Sequence, residues 1–182
     1  MARGQKKNIG FSEKELELLR NFSPNTSSKG MAVFWIHALY VVIVPIWIQA
    51  RVHQYPVGEQ MIYLVLGTLL QAFALQFAYK NVKNVQKEKI ALQRTEAVSA
   101  EVTAQVGTKV ARQELEDRIL WRKGEVAENE SIHFSILYNN CIYLGLYLLF
   151  SVIFFKNWAP LTNYTFSIIV AAGAVAGISR TK

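Results

Sequence analysis

The stretch QMIYLVLGTLLQAFALQFAY, residues 60–79, contains no Asp, Glu, Lys or Arg. In a helix, 20 residues rise about 30 Å, the thickness of the hydrocarbon core of a bilayer. A soluble helix of that length carries a charged face toward water, and this stretch has none. Working outward, the same test picks out 31–50 before it and 134–155 and 157–179 after it. Only 18% of the 182 residues are charged against 52% hydrophobic, and the charges lie between the apolar stretches rather than among them. Four buried helices of a soluble domain would not segregate charge in this way. The expected fold is therefore an all-α membrane protein with four transmembrane helices, at 31–50, 60–79, 134–155 and 161–179.

The links 51–59 and 156–160 are too short for anything but reversals, so the spans pair as two antiparallel hairpins. Between the second and third spans lies a charged insert, 80–133, with 10 of the 20 Lys and Arg residues and 9 of the 13 carboxylates. The N-terminal segment 1–30 holds 6 basic residues and the end 180–182 holds 2, whereas the two links hold only Arg51 and Lys156. Basic residues accumulate on the cytosolic side of membrane proteins. Both termini and the insert are thus expected in the cytosol and both links in the lumen. The insert contains no Pro and reads as a helical hairpin reversing near Gly107 and Thr108. Lys80, Lys83, Lys87 and Arg94 share one helix face, Val98, Val102, Val106 and Val110 form an i,i+4 ladder, and Leu115, Ile119 and Val126 oppose Glu114, Asp117, Trp121, Glu125 and Glu128.

At the N-terminus, Ser12 and Glu15 have capping-box spacing and Phe11 and Leu16 that of a hydrophobic staple, which predicts a short amphipathic helix over 12–20. No apolar h-region precedes the first span, which is expected to direct its own insertion. Within the spans, Pro45 is expected to kink the first. His37 reads as a hydrogen-bonded residue or a headgroup-depth group rather than a proton relay. Gln49 is a polar group the first span must place; Gln71, Gln76, Asn139 and Asn140 are polar groups suited to bonds between helices, and Gly173 and Gly177 form a GxxxG surface for close helix packing.

Catalytic chemistry is absent from the pattern. His37, His53 and His133 have no metal-ligand spacing, Cys141 is the single cysteine, and there is no phosphate loop, nucleophile elbow or acidic residue within a span. No catalytic residue, metal or cofactor is expected. The sequons at Asn21, Asn25, Asn129 and Asn163 are predicted to stay unmodified, three being cytosolic and the fourth too near the bilayer. The insert is nearly neutral, so much of its positive charge is expected to pair with carboxylates of the opposite arm. Lys87, Lys89, Arg94, Lys109, Arg112, Arg118, Arg122 and Lys123, with Trp121 as a packing or stacking group, are the candidates for contact with RNA phosphate or anionic lipid. The classes left open are an adaptor, a small multi-span channel or transporter, and a lipid-binding membrane-shaping protein.

Four strings carry a resemblance: Phe77-Ala78-Tyr79-Lys80-Asn81-Val82-Lys83, Glu96-Ala97-Val98-Ser99, Arg118-Ile119-Leu120-Trp121-Arg122-Lys123, and Phe134-Ser135-Ile136-Leu137-Tyr138-Asn139-Asn140. In this order the chain resembles, over nearly its whole length, the gamma subunit of the translocon-associated protein (TRAP) complex, also called the signal sequence receptor complex. The resemblance implies a four-span, non-enzymatic protein of the endoplasmic reticulum membrane. It implies assembly with alpha, beta and delta subunits beside the Sec61 channel, among the lipids of that membrane. It further implies a cytosolic helical domain docked on the translating ribosome, on ribosomal RNA and a large-subunit protein, in support of protein translocation or insertion. Residues 102–110 carry only Lys109, so contact is expected to shift to Arg112 and Arg118 or toward ribosomal protein.

Overall fold

The computed structural model describes residues 28–56, 58, 60–106 and 112–180. The predicted N-terminal helix and the reversal around Gly107, with Lys109, lie outside these. The described residues form five α-helices and no strand: α1 (Ser28–Arg51), α2 (Met61–Gln93), α3 (Thr95–Val106), α4 (Arg112–Leu148) and α5 (Pro160–Ile178). A π-helical segment, Leu149–Phe154, continues α4. Four helices are long and apolar enough to cross a membrane: α1, α2, α4 with its π-helical continuation, and α5. Neither α2 nor α4 stops where its apolar stretch stops. Both run without proline into the charged insert, as their polar ends contain good helix formers such as Gln, Lys, Glu and Arg.

Local chemistry accounts for the helix ends and interruptions. Pro160 opens α5, where its missing N–H would have no helical partner in any case. Pro45 lies inside α1 and removes one ladder bond there. The predicted first arm of the insert is broken at Arg94, which separates α2 from α3 although no Pro or Gly marks the place. The backbone bonds from Arg94 N to Ile90 O (2.9 Å) and from Val98 N to Arg94 O (3.0 Å) persist across the break. Hydroxyls supply the disturbance. Thr95 Oγ1 donates to Ala91 O at 2.9 Å and Ser99 Oγ to Thr95 O at 2.7 Å, a back-bonding pattern that bends helices.

The chain separates into two compact units. One comprises Thr26–Gln86 and Ser131–Lys182 and contains the apolar helices. Its core joins Phe34, Val42, Leu75, Tyr79, Tyr143, Tyr147, Tyr164 and Val175. Gln49, Gln71, Ser135, Asn139, Ser151, Asn163 and Ser167 are also buried there, while Ile36, Tyr40, Ile62, Leu137 and Ile153 are exposed. Polar groups inside and large apolar side chains outside suit a hydrocarbon solvent, where polar groups must find partners within the protein. The other unit contains Lys87–Glu130, whose buried apolar residues are Ala91, Val98, Val102 and Ala127. The small size of these residues explains why ion pairs do much of the cross-linking there.

Candidate functional site

In the charged unit, helices bring cations and carboxylates together, some across helices and some within one. Lys87 Nζ lies 2.9 Å from Glu128 Oε2, with the two side chains only 12% and 15% exposed. Arg94 Nε meets Glu130 Oε2 at 3.1 Å, on the surface. Arg122 reaches Glu101 of α3 at 3.3 Å and Glu125 of its own helix at 2.8 Å. Its pKa is raised, by bonding to Glu125 first and Glu101 second. Arg118 pairs with Glu114 (2.7 Å) and Arg112 with Glu116 (3.1 Å), both i,i+4 along α4. Lys89 is exposed and pairs with no carboxylate among the described residues. Lys123 is buried, and so departs from the predicted set of surface cations. Lys83, on the predicted basic face, is buried as well. That face therefore turns inward at Lys83 and Lys87 instead of being a solvated stripe.

Trp121 is 61% exposed. Asp117, Arg118 and Glu125 stand four before, three before and four after it on α4, the spacings that share a helix face. The result is an apolar platform framed by both charge signs. Surface ion pairs contribute roughly 0–1 kcal/mol each. Arg94, Arg112 and Arg118 can thus exchange an in-chain carboxylate for another anion at small cost.

The apolar unit holds a second arrangement, made of neutral groups. Gln49 Nε2 donates to Tyr147 Oη and to Asn163 Oδ1, each at 3.0 Å. Ser151 Oγ donates to Asn163 Oδ1 at 2.9 Å. Asn163 Nδ2 in turn donates to the carbonyls of Ser151 (2.9 Å) and Phe155 (2.8 Å). These carbonyls belong to the π-helical segment and the residue after it, where the α-helical ladder is interrupted, so Asn163 satisfies acceptors that lipid could not. His53 Nε2 lies 3.1 Å from Ser151 Oγ, and partial burial lowers the His53 pKa from its ordinary 6.5. Farther along, Gln71 donates to Tyr164 Oη at 3.2 Å and accepts from the Tyr143 hydroxyl. The Tyr79 hydroxyl donates to Asn140 Oδ1, and Ser135 Oγ donates to the Tyr79 carbonyl at 2.6 Å.

The predicted packing residues divide. Gln71 and Asn140 bond across helices, whereas Asn139 turns back on its own helix, donating to Ser135 O at 2.8 Å. Gln76 is half-buried, and its side chain makes no hydrogen bond among the described residues. His37 bonds the carbonyl of Val33, one turn earlier in α1, at 2.9 Å. Gln71 and Asn140 are thus held by tyrosines and His37 by its own helix. A Cβ placed at Gly173 or Gly177 would meet nothing within 4 Å among the described residues. The tight glycine is Gly67, where a Cβ would stand 2.7 Å from Tyr164 Oη and 2.8 Å from its Cε1. The sequence pattern singled out Asn139 but not Gly67 or the rest of the polar ladder to which Asn139 belongs: Ser135, Asn139, Tyr143, Tyr147 and Ser151. The ladder's signal is a strict four-residue spacing inside an apolar span, and all five residues are buried.

A sequence profile described as translocon-associated protein, gamma subunit (TRAP-gamma), matches residues 13–181. The chain belongs to the TRAP-gamma family. A relative named translocon-associated protein subunit gamma, from Dictyostelium discoideum, is 31% identical over 150 residues, covering 82% of this chain and 86% of the relative. Membership in TRAP-gamma makes the chain a non-catalytic, translocon-associated subunit, a partner of the other TRAP subunits. Its match runs through both the apolar and the charged segments.

Proposed function

We propose that this chain is the membrane-embedded adaptor of a TRAP complex in the endoplasmic reticulum, tying that complex to the translating ribosome and the Sec61 channel. The family match across 13–181 carries this reading. The basic bias of the termini and insert over the two links supports cytosolic placement of residues 80–133 and of both chain ends. In this arrangement the apolar unit sits among lipids and packs with the alpha, beta and delta subunits, Gly173 and Gly177 offering an open surface for a neighbouring helix. The charged unit docks on ribosomal RNA and a large-subunit protein through Lys89, Arg94, Arg112, Arg118 and Trp121, with Lys109 joining from the reversal.

Salt-titrated co-sedimentation of ribosomes with solubilised microsomes tests the docking. Reversing charge at Lys109, Arg112 and Arg118 removes as many as three phosphate contacts, each worth roughly 0.7–0.9 in the logarithmic salt slope. A flatter salt dependence with weaker binding is expected, and unchanged binding refutes the assignment. A glycosylation tag at residue 107 tests the topology independently. It should remain unmodified in intact microsomes, and a glycan there would place the insert in the lumen and remove the adaptor reading.

A further inference from the structure

The apolar unit contains one feature that neither subunit packing nor ribosome docking uses. Along α2, Phe73, Phe77, Lys80 and Asn84 recur at spacings of four, three and four, which places them on one stripe. The stripe covers eleven residue steps, roughly 16 Å of helix, and changes along its length from aromatic to cationic to amide. Two adjoining grooves open on it. The first, about 270 Å³, is lined by Met31, Phe34, Phe73, Gln76, Phe77 and Lys80. The second, about 420 Å³, is lined by Phe77, Asn81, Asn84, Val85, Ser179 and Arg180. Phe77 is the wall they share.

The polar end is a built arrangement. Asn81 Nδ2 donates to Ser179 Oγ at 3.3 Å, tying α2 to the residue that follows α5. The next residue, Arg180, donates its backbone N–H to Gly177 O at 3.0 Å. Its guanidinium carbon sits 5.1 Å from the centroid of the Phe77 ring. A guanidinium resting on an aromatic face keeps its edge donors available. Lys80 is exposed beside the same ring. No carboxylate among the described residues pairs with Lys80 or Arg180. At the apolar end, Phe73 is braced edge-on by Trp35 at 5.2 Å.

The geometry points to a binding site for an anionic phospholipid, with its phosphate held by Lys80, Arg180 and the Asn81 and Asn84 amides and an acyl chain laid along Met31, Phe73 and Phe77. Two unpaired cations above an aromatic trough complement a molecule with an anion at one end and hydrocarbon at the other. A soluble phosphate would leave the trough empty, and a zwitterionic lipid such as phosphatidylcholine would set its own cation against Lys80 and Arg180. The site rests on the assignment of α1, α2 and α5 as membrane spans and not on ribosome docking.

Native mass spectrometry of the full chain, released from detergent micelles doped with equal phosphatidylinositol and phosphatidylcholine, tests it. The wild-type protein should retain phosphatidylinositol at least tenfold over phosphatidylcholine. Lys80→Gln with Arg180→Gln should abolish that preference, while Lys156→Gln, at the other end of α5, should leave it intact. Phe77→Ala should weaken retention of both lipids. Water-soluble glycerophosphoinositol should fail to compete. Equal retention of the two lipids by the wild-type protein overturns the proposal, and that reading needs no variant to fold. Equal loss in the Lys156 control, or full competition by the soluble headgroup, also overturns it.

Discussion

The two units are held together by opposite strategies. In Lys87–Glu130, charged groups meet mostly at the surface. The side chains of Arg94, Arg112 and Arg118 and their partners are between 39% and 92% exposed. Among the apolar helices, uncharged Gln, Asn, Ser and Tyr side chains meet in complete burial. Water and salt compete for the first kind of contact, and in hydrocarbon nothing competes for the second. The difference teaches that polarity here tracks exchangeability. Contacts made of charge can be traded for a partner's charge, while contacts made of neutral hydrogen bonds fix the helices in one arrangement.

The largest test of that contrast is Asn163→Leu. It strands the carbonyls of Ser151 and Phe155 and removes the acceptor of Gln49 and Ser151. A buried unpaired group costs about 1–3 kcal/mol, although interhelical bonds in membranes average nearer 0.6. A loss of about 2–4 kcal/mol is expected in a reversible unfolding titration in micelles, and a loss below about 0.5 kcal/mol would deny the neutral lattice its role. Gly67→Ala comes next. Its Cβ pushes into Tyr164, which is buried and bonded to Gln71, so the ring must move against its partners. The expected cost is about 1–3 kcal/mol, the usual range for overpacking. In the charged unit, Lys87→Met breaks the sheltered pair with Glu128 and should cost about 1–2 kcal/mol, whereas Arg118→Ala should cost less than about 0.5 kcal/mol. Equal effects at Lys87 and Arg118 would mean that shelter does not distinguish the pairs.

How much of this was legible in the sequence depended on period. Absence of charge over some 20 residues needs no knowledge of neighbours, and all four span-length helices were readable that way. Near-neutrality predicted pairing with carboxylates of the opposite arm, which Lys87, Arg94 and Arg122 make, whereas Arg112 and Arg118 pair within α4. Which pairs would be sheltered was not legible, because burial of Lys83 and Lys123 depends on what packs over them. Tyrosine concealed the neutral lattice. Tyr143, Tyr147 and Tyr164 count as aromatic bulk in a hydropathy reading, yet each contributes a hydroxyl that links helices. The break at Arg94 was hidden for a related reason, since Thr95 and Ser99 act on the backbone without changing any hydrophobic pattern. GxxxG drew attention to Gly173 and Gly177, but Gly67 is closely approached because a tyrosine on another helix happens to face it.

The smallest expected effect joins the two strategies at one residue. His53 is a titrating group in contact with the neutral lattice through Ser151. Partial burial lowers its pKa below 6.5, so the unfolded chain takes up a proton there before the folded chain does. By linkage, stability from this residue is full above pH 6.5 and is lost as pH falls through the depressed folded value. Between pH 7.5 and 5.5 the melting temperature should fall by roughly 1–3 °C, and His53→Gln should flatten that slope. If the slope survives the substitution, the proton is going elsewhere, and the lattice near Ser151 is insensitive to the one charge that can form beside it.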